Sequence, residues 1–180
     1  MYKKNKKIKL RKLVISDAKF ISKNAKDKDV IRYTHVIAPP FDLRKAKKFI
    51  QKTQKEMRTK KMYEFGIELK KEKELIGTIN LVNINYKSKN ADVGIWLARK
   101  YWGQGLAHES LNLMLQFGFK NLKLKRIQAR VLHKNKLAQN LLEKIGFKLE
   151  GRLRKKTFFK NQWFDDLIFG ILEEEHCPSE

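Results

Sequence analysis

Residues 91–119 read ADVGIWLARKYWGQGLAHESLNLMLQFGF and carry the strongest structural signal in the chain. The apolar run at 91–98 predicts a buried strand, and the residues after Gly105 have the spacing of an amphipathic helix. Between them lies WGQGLA, in which Gly103 and Gly105 let the backbone turn tightly and approach a ligand closely. Because a helix N-terminus presents unpaired N–H groups, this junction predicts a binding site for phosphate groups.

Three further helices are indicated by capping residues. Ser16 and Asp42 are predicted N-caps, with the proline-containing residues 33–41 as the loop between the two helices. Asn135 is the predicted N-cap of the last helix, which Gly146 ends. The residues predicted to face the core from these helices include Ala18, Ile21, Leu43, Ala46, Ile50, Leu137 and Leu142.

The remaining apolar segments predict strands. Residues 62–69 and 74–83 form a predicted hairpin, and 126–132 alternates apolar and polar side chains. Two last strands are predicted at 147–153 and 163–172, joined by a basic, aromatic link at 154–162. The order of elements predicts one α+β domain, residues 1–180, with a mixed sheet and helices on both faces.

Composition places limits on the class of protein. With no run of eighteen apolar residues, and a basic N-terminus lacking a long apolar stretch, we expect neither a membrane span nor a signal peptide. The single cysteine, Cys177, excludes an internal disulfide and is consistent with a cytoplasmic location. The net charge of +23 admits two interpretations. One is a nucleic-acid partner; the other is a solvated surface, since lysine supplies most of the charge.

Several motifs together resemble the GNAT superfamily of N-acetyltransferases, in particular its ribosomal-protein (RimJ/RimL-type) branch. They are the turn at 102–107 with Glu109, the segment NKLA at 135–138, and LEKIGF at 142–147. The opening LRKL at 10–13 and the segment FGIL at 169–172 extend the resemblance over nearly the whole chain. The resemblance implies a mostly antiparallel sheet whose fourth and fifth strands splay apart to admit the pantetheine arm of acetyl-CoA.

Acetyl-CoA is therefore the expected co-substrate, and no metal is expected. The backbone amides of the glycine turn are candidates for the pyrophosphate, and the resemblance places the pantetheine along the preceding strand. It also places Asn135 near the pantetheine or the acetyl group; a plain helix N-cap is the alternative role. The predicted cofactor-binding residues are Ile95, Trp96, Leu97, Trp102, Gly103, Gln104, Gly105, Leu106, Ala107 and Asn135.

An attacking amine must first lose a proton, so a carboxylate or histidine is expected near the acceptor. Asp92, on the strand before the turn, is the first candidate, because several relatives carry an acidic residue there. The alternative is that Asp92 caps the strand or pairs with a lysine. His35, Asp165 and Asp166 are further candidates. The aromatic and histidine residues predicted to line the acceptor groove are Tyr33, His35, Phe41 and Trp163.

The chain departs from the family pattern at three positions. Trp102 replaces the Gln or Arg that usually opens the loop, as is common in this branch. Ala138 and Leu142 stand where relatives carry Ser and Tyr, the groups that protonate the leaving thiolate. Since acid catalysis typically contributes about 10²–10⁴-fold, their absence predicts a slower enzyme.

Three functions remain open on the sequence. The first is acetylation of a protein N-terminus, such as that of a ribosomal protein. The second is acetylation of a small amine, such as a polyamine or aminoglycoside, although the positive charge would repel polycations. The third is a non-catalytic acetyl-CoA sensor or RNA-associated module. We also expect weak association with RNA or the ribosome, and a monomeric or homodimeric state.

Overall fold

A seven-stranded sheet with the order β1-β2-β3-β4-β5-β7-β6 organises the chain. The computed structural model describes residues 7–33, 42–159 and 161–176. The strands are β1 Ile8–Lys12, β2 Tyr63–Leu69, β3 Glu74–Asn85, β4 Asn90–Leu97, β5 Arg126–Leu132, β6 Lys148–Phe159 and β7 Gln162–Leu172. The helices are α1 Ala18–Asn24, α2 Lys28–Tyr33, α3 Leu43–Arg58, α4 Leu106–Gln116 and α5 Lys136–Ile145. A π-helical turn, Phe117–Asn121, continues α4.

The centre of the sheet opens into a wedge between its only parallel neighbours among the described strands, β4 and β5. These two pair over three positions, the last being Asp92 with Gln128. Beyond it β4 stays paired with β3 as far as Leu97, and β5 stays paired with β7 as far as Leu132. Each strand therefore keeps its outer partner while the two separate, which confirms the expected splayed pair in a mostly antiparallel sheet.

Helices cover both faces of the sheet, as predicted. Because side chains alternate along a strand, Val93 and Leu97 of β4 join a cluster with α4 and α5, whereas Trp96 joins a second cluster with α1, α2 and α3. Fully burying each large apolar side chain contributes about 1.5–3 kcal/mol. Both clusters meet at Trp102, which packs against each, so the glycine turn is attached to both halves of the core.

The helix boundaries confirm two predicted caps and correct one. Asp42 and Asn135 each accept a backbone N–H three residues on, from Lys45 (2.6 Å) and Ala138 (3.1 Å). Ser16 is not an N-cap, because a 3₁₀ turn precedes α1 and the acidic residue after Ser16 takes the local donors. That residue, Asp17, accepts the Val14 N–H at 2.8 Å and both terminal nitrogens of Arg11.

Two other predictions of burial or structure were wrong. Leu43 and Leu137 were expected to face the core, yet they are 41% and 64% exposed. Leu137 instead borders the pocket described below. The predicted link at 154–162 is largely strand, because Phe158 pairs with Trp163 and extends β6 to Phe159. An irregularity between Leu153 and Thr157 absorbs the change of register.

Candidate active site

A pocket of about 750 Å³ lies at the open end of the wedge. Its size falls in the range of about 300–1,000 Å³ typical of ligand sites. Nine of the ten predicted cofactor residues line it: Ile95, Trp96 and Leu97 from β4, Trp102, Gly103, Gly105, Leu106 and Ala107 from the turn and α4, and Asn135 from the cap of α5. The tenth, Gln104, is exposed, and its side chain donates to the Lys100 carbonyl at 2.9 Å.

The glycine turn has the conformation that a close-approaching ligand requires. Gly103 and Gly105 have φ of +75° and +77°, the left-handed region, and a Cβ added at either would meet nothing within 4 Å. Gly105 is the N-cap of α4, and no described side chain caps that helix. The first intrahelical bond runs from the Glu109 N–H to Gly105, so the N–H groups of residues 106–108 remain available to an anion. The helix dipole adds about 0.3–1 kcal/mol for a negative ligand.

Trp102 fastens this turn to the end of β4. Its indole N–H donates to the Leu97 carbonyl at 2.8 Å, and the Arg99 guanidinium lies 4.8 Å from the centre of its ring. The departure from the family pattern at this position therefore has a structural consequence. A glutamine or arginine would lack the indole that packs against both core clusters.

Asp92 marks the apex of the wedge, where it is held by two amides. Its Oδ1 accepts from Gln128 Nε2 at 2.7 Å and its Oδ2 accepts from Asn83 Nδ2 at 2.8 Å. The half-buried carboxylate is thus held by two amides. These are its side-chain partners, in place of the lysine that the sequence offered as one alternative. Each carboxylate oxygen has more than one acceptor position, so Asp92 keeps the capacity to accept from an ammonium group.

A second carboxyl group, Glu64 of β2, was missed by sequence reasoning. Its side chain is 1% exposed, and its Oε2 accepts from Asn80 Nδ2 at 2.8 Å. Burial raises the pKa of Glu64 to about 7, against the opposing effects of Thr78 and Asn80. A weak signal was available, because alternation in YEFGIEL puts Glu64 on the face opposite Phe65 in a predicted strand.

None of the described acid–base candidates, Asp92, Asp165 and Asp166, is among the residues that line this pocket. Asp165 accepts the Lys155 N–H at 2.8 Å and pairs with Arg152 at 2.6 Å. The hydrogen bond from Lys155, followed by the contact with Arg152, holds the pKa of Asp165 below its usual range. Asp166 is 1% exposed and accepts from the Thr157 hydroxyl at 2.9 Å. Both carboxylates therefore have partners within the β6–β7 hairpin.

Most of the predicted acceptor wall lies outside the described residues. His35 and Phe41 fall there entirely. For Tyr33 only the backbone, the last residue of α2, is described. Trp163 is 58% exposed at the β6–β7 turn and packs against Phe158, with ring centres 4.9 Å apart. It does not line the pocket, so its place in an acceptor groove stays a prediction.

The positions of the missing acid groups are explained by packing. Leu142 is 4% exposed and belongs to the core cluster beneath α4, whereas Ala138 lines the pocket. Among the described residues that line the pocket, Tyr101 is the one with a hydroxyl. That hydroxyl is buried and has no described partner in good hydrogen-bonding geometry, although Lys100 and Glu74 lie close enough to affect its pKa, which burial raises.

Two features are absent from the part of the chain that the structure describes. No group of three or more His, Cys, Asp or Glu side chains there is arranged to hold a metal ion. Within the same ranges, no helix combines the length and hydropathy needed to cross a bilayer.

A strand wedge that ends in a glycine turn and an uncapped helix is the arrangement of an acyltransferase that uses a long, anionic donor. Residues 7–148 match the family model of the acetyltransferase (GNAT) domain. The chain therefore belongs to the GNAT family and is an N-acetyltransferase. Acetyltransferases of this family use acetyl-CoA.

The chain is similar to individual N-acetyltransferases over all or part of their length. The uncharacterized N-acetyltransferase p20 of Bacillus licheniformis is 31% identical over 168 residues, 93% of this chain and 94% of its own. YdaF of Bacillus subtilis, whose name assigns it to ribosomal N-acetyltransferases, is 27% identical over 101 residues, 56% of this chain and 55% of its own. The solved spermidine N-acetyltransferase of Vibrio cholerae, in complex with CoA and spermine, has a TM-score of 0.83 and 27% identity, over 95% of this chain and 98% of its own.

Proposed function

We propose that this protein transfers the acetyl group of acetyl-CoA to a primary amine by direct attack. The observation that carries the proposal is the wedge, whose apex is at Asp92, where the pairing of β4 with β5 ends, and whose open end holds the pocket lined by the glycine turn. The pyrophosphate would bind the free N–H groups of the turn, and the pantetheine would lie along Ile95–Leu97, where β4 has lost its parallel partner. The thioester would then point toward the apex, where Asp92 is positioned to attract an ammonium group.

The reaction needs no covalent enzyme intermediate. Once the ammonium has lost a proton, its nitrogen attacks the thioester carbon and forms a tetrahedral intermediate. Collapse breaks the C–S bond and releases CoA. Because Ala138 and Leu142 offer no hydroxyl, the thiolate would leave as such and take its proton from water, while the new amide loses its second proton to solvent. Asp92 remains the proposed carboxylate for the acceptor, either as anchor or as base.

We infer a peptide N-terminus as the first candidate acceptor. The RimJ/RimL-like motifs support it, and Leu142 replaces the Tyr that polyamine-acetylating relatives carry at that position. The net charge of +23 would repel free polycations and would favour work beside ribosomal RNA. Association with RNA should therefore weaken as salt rises, while turnover of a short uncharged peptide should barely change.

A polyamine is the second candidate acceptor. It is favoured by the similarity to the Vibrio cholerae enzyme, whose name specifies spermidine, over nearly the whole length of both chains. Acidic groups beside the wedge would also be needed to offset the positive surface. Asp92 and Glu64, which share one face of the sheet, are such groups.

A direct comparison of acceptors separates these candidates. The protein is incubated with acetyl-CoA and either short peptides with free N-termini or spermidine, and acetylated products are measured by mass and rate. The proposal expects acetylated amine in the presence of acetyl-CoA, with a peptide giving the higher kcat/KM. Spermidine with a much higher kcat/KM than any peptide would replace the first candidate by the second. No product with any amine would reject the proposed function.

A further inference from the structure

Glu64 differs from Asp17 and Glu68, two other buried carboxylates, because it has no cationic partner among the described residues. Asp17 and Glu68 both pair with Arg11, and Glu68 also pairs with Lys9 at 2.7 Å. Glu64 is held only by the amide of Asn80 among the described residues, with the Thr78 hydroxyl near enough to lower its pKa.

Two acceptor atoms of this pair lack a donor. Glu64 Oε1 and Asn80 Oδ1 are both buried, and no described residue donates a hydrogen bond to either. Buried polar atoms are rarely left unpaired, and a functional site is one of the usual reasons. A water molecule has two O–H groups, so it can donate one hydrogen bond to each of these atoms. Its oxygen can also accept a proton from an ammonium group. Donors, not further acceptors, are what this pair can receive.

The pair is aligned with the wedge by the register of three strands. Glu64 of β2 lies opposite Asn80 of β3, which lies opposite Gly94 of β4. Neighbouring strands are about 4.8 Å apart, so Asn80 is one strand from the edge along which the pantetheine would lie. Gly94 places no side chain between that edge and Asn80. Alternation puts Asp92, Gly94 and Trp96 on this same face, and Trp96 also lines the pocket.

We propose that Glu64 accepts the proton released by the acceptor's ammonium group, through a water molecule bound between Glu64 and Asn80, and that Asn80 positions the carboxylate. This inference rests on the proposed function and assigns a role within it. The ammonium N–H bond breaks and an O–H bond forms on the water, which passes its own proton to Glu64 Oε1. The neutral amine then attacks the thioester, and Glu64 later returns the proton to solvent.

Both protonation states of Glu64 are compatible with Asn80. The amide N–H₂ donates to Oε2 in either state, and a protonated Oε1 gains an O–H that can donate to the free Asn80 carbonyl. The raised pKa of about 7, caused by burial, suits a proton acceptor near neutral pH. Asp92 would then attract the ammonium, and Glu64 would take its proton.

Other ionisable groups on this face do not account for that pKa. Arg11 and Lys9 are engaged by Asp17 and Glu68, and Asp92 is bound by two amides. In the described parts of α1 and α3, which pack on this face, the buried side chains are apolar except for Thr53. None of these groups is among the causes of the raised pKa.

The test compares Glu64→Gln with Glu68→Gln, a matched variant on the same strand and face. Rates with acetyl-CoA and the best acceptor are measured from pH 5 to 9. The wild type should gain activity with a midpoint near 7. Glu64→Gln should lose about 10²-fold or more in kcat/KM for the amine and should lose that midpoint, while KM for acetyl-CoA stays within a few-fold. Glu68→Gln should keep the midpoint.

A second variant covers the case in which Glu64→Gln does not fold. Asn80→Leu removes the donor to Oε2, so the midpoint of activity should move to higher pH. If the wild type turns over, either of two results would overturn the role of Glu64 while leaving the proposed function in place. One is an unchanged rate and pH profile in Glu64→Gln, and the other is an unchanged midpoint in Asn80→Leu. Absence of product from the wild type with every amine would instead reject the proposed function, and this inference with it.

Discussion

Gln128 and Asp92 join β4 to β5 at the last position where these strands pair, through a hydrogen bond of 2.7 Å from Nε2 to Oδ1. The bond fixes the apex of the wedge, and Asn83 holds the other carboxylate oxygen from the opposite neighbour, β3. The point at which the sheet opens is therefore also the point at which its negative charge is oriented. In the proposed reaction, this carboxylate would lie where the ammonium group approaches the thioester.

Acetyl-CoA should stabilise the fold. Donor at about a hundredfold over its dissociation constant should add about 2.7 kcal/mol to the free energy of unfolding. Gly105→Leu should abolish this gain, because a side chain at φ +77° would occupy the space that the phosphates approach. Thermal unfolding with and without acetyl-CoA measures the effect.

Gly146→Leu is the control for backbone strain. Gly146 also has positive φ, at +104°, but it ends α5 and does not line the pocket. This variant should lower the melting temperature by itself while keeping the shift with acetyl-CoA. An equal loss of the shift in both variants would mean that Gly105 acts through stability and not through binding.

Asp92→Asn should lower kcat/KM for the amine while leaving acetyl-CoA affinity nearly unchanged. The substitution removes the negative charge at the apex but keeps a side chain of the same shape. Steady-state kinetics give the first quantity and calorimetry the second. Asp29→Asn, at an exposed carboxylate that pairs with Arg99, should leave both within a few-fold. Full activity of Asp92→Asn from pH 6 to 9 would make Asp92 purely structural.

Glu64→Gln should make the fold more stable at alkaline pH. The folded pKa of Glu64 is raised from its ordinary 4.5 to about 7, so the folded state binds the proton more tightly than the unfolded chain. The contribution of Glu64 to the free energy of unfolding of the wild type should therefore be highest below pH 4.5. It should fall by on the order of 3 kcal/mol as the pH rises through 7. Glutamine stays neutral and can pair with the Asn80 amide.

Denaturant unfolding at pH 5 and pH 8 measures this difference. The gap between Glu64→Gln and the wild type should be larger at pH 8 than at pH 5. Glu68, whose pKa is lowered chiefly by Lys9, has the opposite sign: its stabilisation should be lost as pH falls. A gap of the same size at both pH values would show that Glu64 ionises normally.

Ala138→Ser should raise kcat. Ala138 lines the pocket, so a hydroxyl there could protonate the leaving thiolate, within the roughly 10²–10⁴-fold that acid catalysis contributes. Ala138→Val is the control, because it adds bulk without a donor and should not raise kcat. A kcat of Ala138→Ser no higher than that of Ala138→Val would contradict this prediction. It would mean that departure of the thiolate does not limit the rate and that solvent suffices as the acid.

Local sequence signals predicted most of the residues that line the pocket. The glycines at 103 and 105, the strand before them and the cap at Asn135 all act within a few residues along the chain. The partners of Asp92 could not be predicted, because Gln128 is 36 residues away and reaches it only once β4 and β5 are in register. Glu64 and Asn80 likewise meet through the register of two strands.

Exposure was the least predictable property. Leu137 has the helical spacing of a core residue, but the wedge leaves that side of α5 facing a pocket. The segment 154–162 was predicted to be a link because it is basic, yet residues 154–159 lie on β6, the exposed terminal strand of the sheet. Charged side chains suit such a strand, since they discourage pairing with other chains.

One measurement tests the central claim most directly. Wild type and Gly105→Leu are each incubated with acetyl-CoA and a panel of peptides and amines, and the products are examined by mass. The account predicts an amine carrying one added acetyl group with the wild type, dependent on acetyl-CoA, and little or none with Gly105→Leu. No acetylated product from the wild type with any amine, together with an unchanged melting temperature in saturating acetyl-CoA, would contradict it.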